Sequence, residues 1–198
     1  MSEVAIIDSG GANIASLVHA LRRLGCKARL TRDPAEVQAA ARVILPGVGA
    51  AADAMARLRR HGLADIVPGL SQPVLGICLG MQLMFEASEE GETGCLGILP
   101  GAARRLRPAP DRPVPHMGWN QLDVRIPVPL LHGVKTGDYT YFVHSFALPV
   151  GEDSVATCDY GGAFTAVVSR GNFHGTQFHP ERSGKVGARI LGNFLEVA

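Results

Sequence analysis

The chain has no long apolar run. No window approaches the about 18 consecutive apolar residues that a membrane-spanning helix needs. It has no excess of one charge either: 19 basic against 18 acidic residues leave +1 with histidine neutral. The basic stripe of a nucleic-acid-binding protein is missing. Arg104-Arg105-Leu106-Arg107, set near prolines, reads as a solvated edge. Cysteine is scarce, and Cys26, Cys78, Cys95 and Cys158 fit neither a zinc spacing nor a compact disulfide framework. The seven histidines form no H-x-H or H-x-x-x-H pair, which argues against a bound metal. Met1-Ser2-Glu3-Val4-Ala5 enters a strand-like segment without the charged start and apolar centre of a secretory leader. Reduced thiols and a cytoplasmic location are therefore expected. With 46% hydrophobic residues in 198, one domain over 1–198 with a full-sized core is expected.

What is present, in the first half, is an alternation of strand and helix signals. Val4-Ala5-Ile6-Ile7 predicts a strand, followed by the Gly-rich turn Asp8-Ser9-Gly10-Gly11. Apolar residues at helical spacing from Asn13 to Leu24 predict a helix stopped at Gly25. Lys27 to Leu30 predicts a second strand. In Asp33-Pro34-Ala35-Glu36, Asp33 suits the cap, Pro34 the first helical position, and Glu36 a return bond to the cap amide. Val43-Ile44-Leu45 predicts a strand ending at Pro46-Gly47, and Ala50 to Arg60 a helix. Pro73 to Ile77 predicts a buried strand, and Met81 to Glu86 a helix. This is the pattern of a parallel sheet covered on both faces, whose ligands sit beyond the carboxyl ends of the strands. From about Glu89 to Pro129 helical periodicity fades. Strand-like runs follow at Tyr139–Phe146, Ser154–Asp159, Thr165–Ser169 and Phe173–Phe178, then an amphipathic helix at Val186–Val197. The fold class is α/β, with an antiparallel portion in the C-terminal half.

The most informative motif is Gly76-Ile77-Cys78-Leu79-Gly80. It joins a strand to a helix and carries glycine two residues to either side of the cysteine. Such a turn holds the tip in a strained backbone region and exposes it to the first helical amides, which favour thiolate. The same residues also suit a buried cysteine in an ordinary turn. A nucleophile needs a base, and His179 in Gln177-Phe178-His179-Pro180-Glu181 is the first candidate. In extended geometry Glu181 projects to the same side and can orient the imidazole. His144, in Tyr141-Phe142-Val143-His144-Ser145-Phe146, competes for that role, and His116 beside Met117-Gly118-Trp119-Asn120 is open between packing and function. Pro46-Gly47-Val48-Gly49 offers backbone amides to an anionic oxygen. It lacks the longer glycine pattern and the lysine of a phosphate-binding loop.

The Gly-Ile-Cys-Leu-Gly-Met-Gln segment, His179-Pro180-Glu181 and the Pro-Gly-Val-Gly loop, in this order, resemble the class I (triad) glutamine amidotransferases. His116 to Asn120 and Tyr141 to Ser145 are similar to the glutaminase subunits of imidazole glycerol phosphate synthases. The resemblance runs from Asp8 to the last helix. It implies a flavodoxin-like fold with a central mixed, mostly parallel sheet. It also implies a catalytic triad of Cys78, His179 and Glu181, and an oxyanion hole from Leu79 and the Gly47, Val48 and Gly49 loop. Glutamine contacts would come from Gln82, His144 and Ser145. No cofactor is implied. The ammonia released from glutamine would pass to a (β/α)8-barrel synthase subunit in a heterodimer, giving imidazole glycerol phosphate and an aminoimidazole carboxamide ribotide. Asn13, Trp119, Tyr141 and Arg182 are the expected contacts with that partner. The chain departs from the commoner pattern in the loop Asp8-Ser9-Gly10-Gly11-Ala12-Asn13, where a tyrosine and another glycine are often found, at Ala51 (often phenylalanine), and at Arg182 (often lysine).

Overall fold

The computed structural model describes residues 3–9 and 14–197. Asn13, with the rest of the Gly10–Asn13 turn, lies outside the described residues. In chain order, the first half contains β1 (Val4–Ile7), α1 (Ile14–Arg23), β2 (Ala28–Thr31), α2 (Pro34–Ala39), β3 (Arg42–Gly47), α3 (Ala51–Arg60), α4 (Leu63–Ile66), β4 (Val74–Cys78) and α5 (Leu79–Leu83). The second half contains β5 (Phe85–Ser88), β6 (Thr93–Gly94), β7 (Leu99–Arg105), β8 (His116–Gln121), β9 (Asp123–Val124), β10 (Tyr139–His144), β11 (Phe146–Ala147), β12 (Ser154–Asp159), β13 (Ala163–Arg170), β14 (Phe173–Thr176) and α6 (Gly184–Glu196).

Eight strands form the main sheet in the order β2-β1-β3-β4-β14-β13-β12-β9. The first five run parallel, in the doubly wound order expected of the sequence pattern. From β14 onward the pairing is antiparallel. Two small sheets, β10-β8 and β11-β7-β5-β6, stand beside it. The period-two rule divides the core. Val4, Ile6, Ile44, Leu75 and Ile77 face one side with Leu17 and Leu21 of α1 and Ile190 and Phe194 of α6. Ala5, Ile7, Val43, Leu45 and Val74 face the other, with Met55 and Leu58 of α3 and Val37 of α2.

Three local readings are corrected. Met81–Glu86 is not one helix: α5 stops at Leu83, and Phe85 starts β5, which pairs with both β6 and β7. The apolar run fits either element, and the tertiary pairing partner decides. The second half of the α2 capping box is absent. Asp33 caps as expected, accepting from the Ala35 amide at 2.8 Å, but the Asp33 amide bonds Thr31 Oγ1. Glu36 turns instead to Arg29 at 2.8 Å. The His179–Glu181 segment is not extended either, because Pro180–Arg182 forms a 3-10 turn.

The junction of β3, β4 and α5 is tight enough to exclude side chains. A Cβ on Gly80 would collide with the Leu45 carbonyl oxygen, and one on Gly76 would lie 2.7 Å from Met81 Cα. One on Gly47 would lie 2.6 Å from the Gly80 amide nitrogen. Gly80→Ala is therefore expected to lower the unfolding free energy by about 1–3 kcal/mol or more through backbone displacement. Gly192→Ala, with open space around it in α6, is expected to raise it by about 0.4–1 kcal/mol. Urea unfolding of the two variants checks both signs.

Candidate active site

Cys78 ends β4 and precedes α5, at φ 54° and ψ −113°. A non-glycine residue in such a region costs about 1–3 kcal/mol and is kept only where surrounding packing dictates it. The packing here is the glycine contact between β3 and α5. It turns the Cys78 side chain toward a cavity of about 320 Å³. Leu79, as the first helical residue, has an N–H with no intrahelical partner.

His179 follows β14, and its backbone is anchored to β10. Its N–H donates to the Tyr141 carbonyl at 3.0 Å. Its own carbonyl accepts from Ser183 Oγ at 2.7 Å, and that hydroxyl accepts the Tyr141 N–H at 2.9 Å. The 3-10 turn brings Glu181 back to the ring, with Oε1 2.9 Å from His179 Nδ1. A carboxylate only accepts, so Nδ1 carries the proton and Nε2 is left for chemistry. Gly187 makes room for the turn, because a Cβ there would collide with the Pro180 carbonyl. Burial opposes charge on His179, but Cys78 and Glu181 outweigh it and push the imidazole up to about 10. Nε2 makes no hydrogen bond of ordinary geometry, yet stands close enough to Cys78 for the sulfur to favour its protonation.

The cavity is lined by Val48, Gly49, Cys78, Leu79, Gln82, Glu90, Pro115, Val143, His144, Ser145, Phe146 and His179. Most sequence-predicted site residues thus converge on it. Gly47 is set back: it pairs with Cys78 in the β3–β4 ladder and lines a void of about 10 Å³ behind His179 and Glu181. Among the described residues nothing bonds the amides of Val48 and Gly49. Gly49 sits at φ 88°, a conformation that favours glycine. The segment is pinned on both sides. Ser9 Oγ donates to the Pro46 carbonyl at 2.7 Å, and the Ala51 amide donates to Glu90 Oε2 at 2.8 Å. Glu90 is the charged lining residue that sequence reasoning missed. It lies in Glu89-Glu90-Gly91-Glu92, where no periodicity marks it, and its partner is 39 residues away.

His144 and His116 act together. His144 Nδ1 faces the Phe146 carbonyl at 2.8 Å, so it donates. Its Nε2 must then accept from His116 Nδ1 at 3.0 Å. Burial pushes His144 down to about 3 and His116 down to about 4. Both rings are neutral at physiological pH, and the charge-competent base is His179. Rings of Phe142 and Tyr160 stack on His116 with centroids 4.9 and 3.9 Å away. Cys95 and Cys158 are raised by burial to about 11 and about 12, far from nucleophilic use. Among the described residues no cluster of His, Cys, Asp or Glu could hold a metal ion, and no helix is long and apolar enough to cross a membrane.

Trp119 and Tyr141 are paired across β8 and β10, with ring centroids 5.9 Å apart. The Arg182 guanidinium lies 5.6 Å over the Tyr141 ring. Period-two pairing puts Met117 and Tyr139 on the same face, which leaves Trp119 55% and Met117 63% exposed.

A family model for glutamine amidotransferase class-I matches residues 5–198. The chain is 57% identical over 197 residues to the imidazole glycerol phosphate synthase subunit HisH of Xylella fastidiosa (strain Temecula1), covering all of this chain and 98% of that protein. It is 57% identical over 198 residues to the subunit of the same name from Xanthomonas axonopodis pv. citri, covering all of this chain and 99% of that one. Among solved structures, a glutamine amidotransferase superposes with TM-score 0.76 at 22% identity over 98% of this chain and 97% of its own. A structure of PurLQS from Thermotoga maritima gives 0.75 at 20% identity over 99% of both chains. These two support the fold alone. The chain belongs to the glutamine amidotransferase class-I family and, within it, groups with the imidazole glycerol phosphate synthase subunit HisH proteins.

Proposed function

We propose that the protein is the glutaminase of an imidazole glycerol phosphate synthase, hydrolysing glutamine to glutamate and ammonia for histidine biosynthesis. The observation that carries the reading is the meeting of Cys78, the His179–Glu181 pair and unbonded amides at one cavity. The volume suits a free amino acid, and Glu90 in the wall offers a carboxylate for its ammonium group. Catalysis starts with the Cys78 proton on His179 Nε2. The thiolate attacks the carboxamide carbon, and the resulting oxyanion lies against the Leu79 N–H and an N–H of the Gly47–Gly49 segment. His179 gives its proton to the leaving nitrogen. Ammonia departs and a glutamyl thioester remains. His179 then takes a proton from water, hydroxide adds to the thioester, and glutamate leaves with the sulfur again anionic. Each oxyanion donor contributes about 10²–10³ in rate, and acid–base transfer about 10²–10⁴. Gln82 and Ser145 line the same wall and complete the glutamine site with His144.

Ammonia protonates in water, so a partner that receives it directly is part of this reading. The partner is a (β/α)8-barrel synthase subunit in a heterodimer, docked on the aromatic face of Trp119, Tyr141 and Arg182. The whole chain works as one domain, and the complex belongs in the cytoplasm. Partner binding sets the oxyanion segment, because Val48 sits next to a glycine at positive φ, where a peptide reorients at low cost.

The test is glutamine turnover by wild type and Cys78→Ser, each with and without the synthase subunit and its ligand. Turnover is expected only with Cys78, and it rises strongly with the partner. Equal wild-type rates with and without the partner would overturn the partner-dependent step. Glu181→Gln is expected to cut kcat/KM by about 10²–10⁴. The sign of its pH effect follows from the raised imidazole. His179 stays protonated until about pH 10, so turnover is lost as pH rises through that value. The stability contributed by the His179–Glu181 pair is present below the ordinary histidine range and lost over the same rise. Removing the carboxylate moves both losses to lower pH, which a pH–rate profile and melting curves read out. Trp119→Ala is expected to weaken binding of the synthase subunit by about tenfold or more, as an aromatic anchor does, measured by titration calorimetry.

A further inference from the structure

The Phe146 carbonyl fixes more than the tautomer of His144. A carbonyl only accepts, so the group of Gln82 that reaches it at 2.8 Å is the amide nitrogen. The second N–H of that nitrogen points to Gln177, 2.9 Å away, and the corner of Gln177 facing it must be Oε1. The other corner of the Gln177 amide is then Nε2, and it lies 3.7 Å from Cys78 Sγ. Gln177 has no exposed surface, and Gln82 is almost as buried. Turning the Gln177 amide over would set nitrogen against nitrogen at Gln82 and oxygen against sulfur at Cys78. Its orientation is therefore dictated from a carbonyl two residues away in the chain of bonds.

We propose that Gln177 is a further catalytic residue: a fixed, neutral N–H donor to the Cys78 sulfur, locked in place through Gln82. In the thiol form the S–H donates to the Val143 carbonyl at 3.7 Å, and the sulfur lone pair accepts from Gln177. When the proton moves to His179 Nε2, the bond to Val143 is lost and that carbonyl becomes an unfavourable neighbour. Gln177 and the imidazolium are then the donors that face the anionic sulfur. When the thioester collapses, the C–S bond breaks and its electron pair returns to sulfur, which the same N–H receives. This role rests on the glutaminase reading for its substrate, but not for its effect on the thiol.

The test uses the full chain with its synthase subunit and two readouts. Alkylation by iodoacetamide at pH 7 is followed at Cys78 by peptide mass spectrometry, with partly exposed Cys26 as internal reference. In Gln177→Leu, alkylation of Cys78 is expected to slow about tenfold while that of Cys26 is unchanged, in line with a lost hydrogen bond to a charged group. Glutamine turnover is expected to lose about tenfold or more in kcat with KM nearly unchanged. Gln177→Glu keeps the shape of the side chain and sets an acceptor against the sulfur. It should slow alkylation at least as much, so the proposal remains testable if the leucine variant does not fold. Gln82→Leu frees the Gln177 amide to turn over and is expected to slow alkylation by a smaller factor. Wild-type alkylation rates at Cys78 in both Gln177 variants would overturn the proposal, as would equal slowing at Cys26. If the wild-type complex hydrolyses no glutamine, the glutaminase reading fails, and the alkylation comparison still decides Gln177.

Discussion

The active-site geometry depends on the contact between Gly80 and the Leu45 carbonyl. Strand β3 and the first turn of α5 meet there with no room for a side chain. This contact holds Cys78 at a strained φ, because the chain must turn from β4 into α5 within one residue. It also fixes the neighbours of the sulfur. The ladder pairs Gly47 with Cys78, so the segment Val48-Gly49 must emerge beside that sulfur. The strain at Cys78 and the position of the unbonded amides thus share one cause. A looser turn would relax the cysteine backbone and separate the two at the same time.

Charge at the site is partitioned among three histidines. All three are buried, and burial acts against the cation in each. Only His179 has compensating anions in reach, Glu181 on one side and the sulfur of Cys78 on the other. His144 and His116 spend their protons in a directional chain that ends on the Phe146 carbonyl. The same carbonyl sets the direction of the Gln82–Gln177 amides. One acceptor therefore sets the tautomers of two rings that burial keeps neutral, and turns a donor toward the Cys78 sulfur. The result is a site with a single mobile proton between Cys78 and His179.

The sequence made the parallel half and the cysteine turn legible because both are written locally. Glycine at two residues either side of Cys78 anticipates a steric need of that turn, and Val4–Ile7 is an unbroken apolar run that becomes a fully buried strand. The His179–Glu181 pairing was also legible, but for a different geometry: the proline that breaks the strand begins a 3-10 turn that returns the carboxylate to the ring. What was illegible is carried by long-range bonds. Glu90 reaches the start of α3 from 39 residues away, and Gln82 meets Gln177 across 95. Nothing in the local pattern of either residue records its partner. Phe85-Glu86-Ala87-Ser88 was misread for the same reason, since its strand character comes from β6 and β7 rather than from its own composition.

The aromatic face and His179 are also linked through the backbone of Tyr141. Tyr141 contributes its ring to the exposed face, where Trp119 and Arg182 adjoin it. Its backbone N–H and carbonyl bond inward, to Ser183 and to the His179 amide. Residues along a strand send side chains to alternate faces while their backbone groups lie in the plane of the sheet. A body seated on that face would press on the Tyr141 ring, and a shift of its backbone would reach His179 directly through one hydrogen bond and, by a second path, through the Ser183 hydroxyl. The base would move relative to a sulfur that the β3–α5 contact holds still. Such a path needs no displaced helix and no new pocket, because misplacing a reacting group by about 1 Å can already cost about 10²-fold in rate.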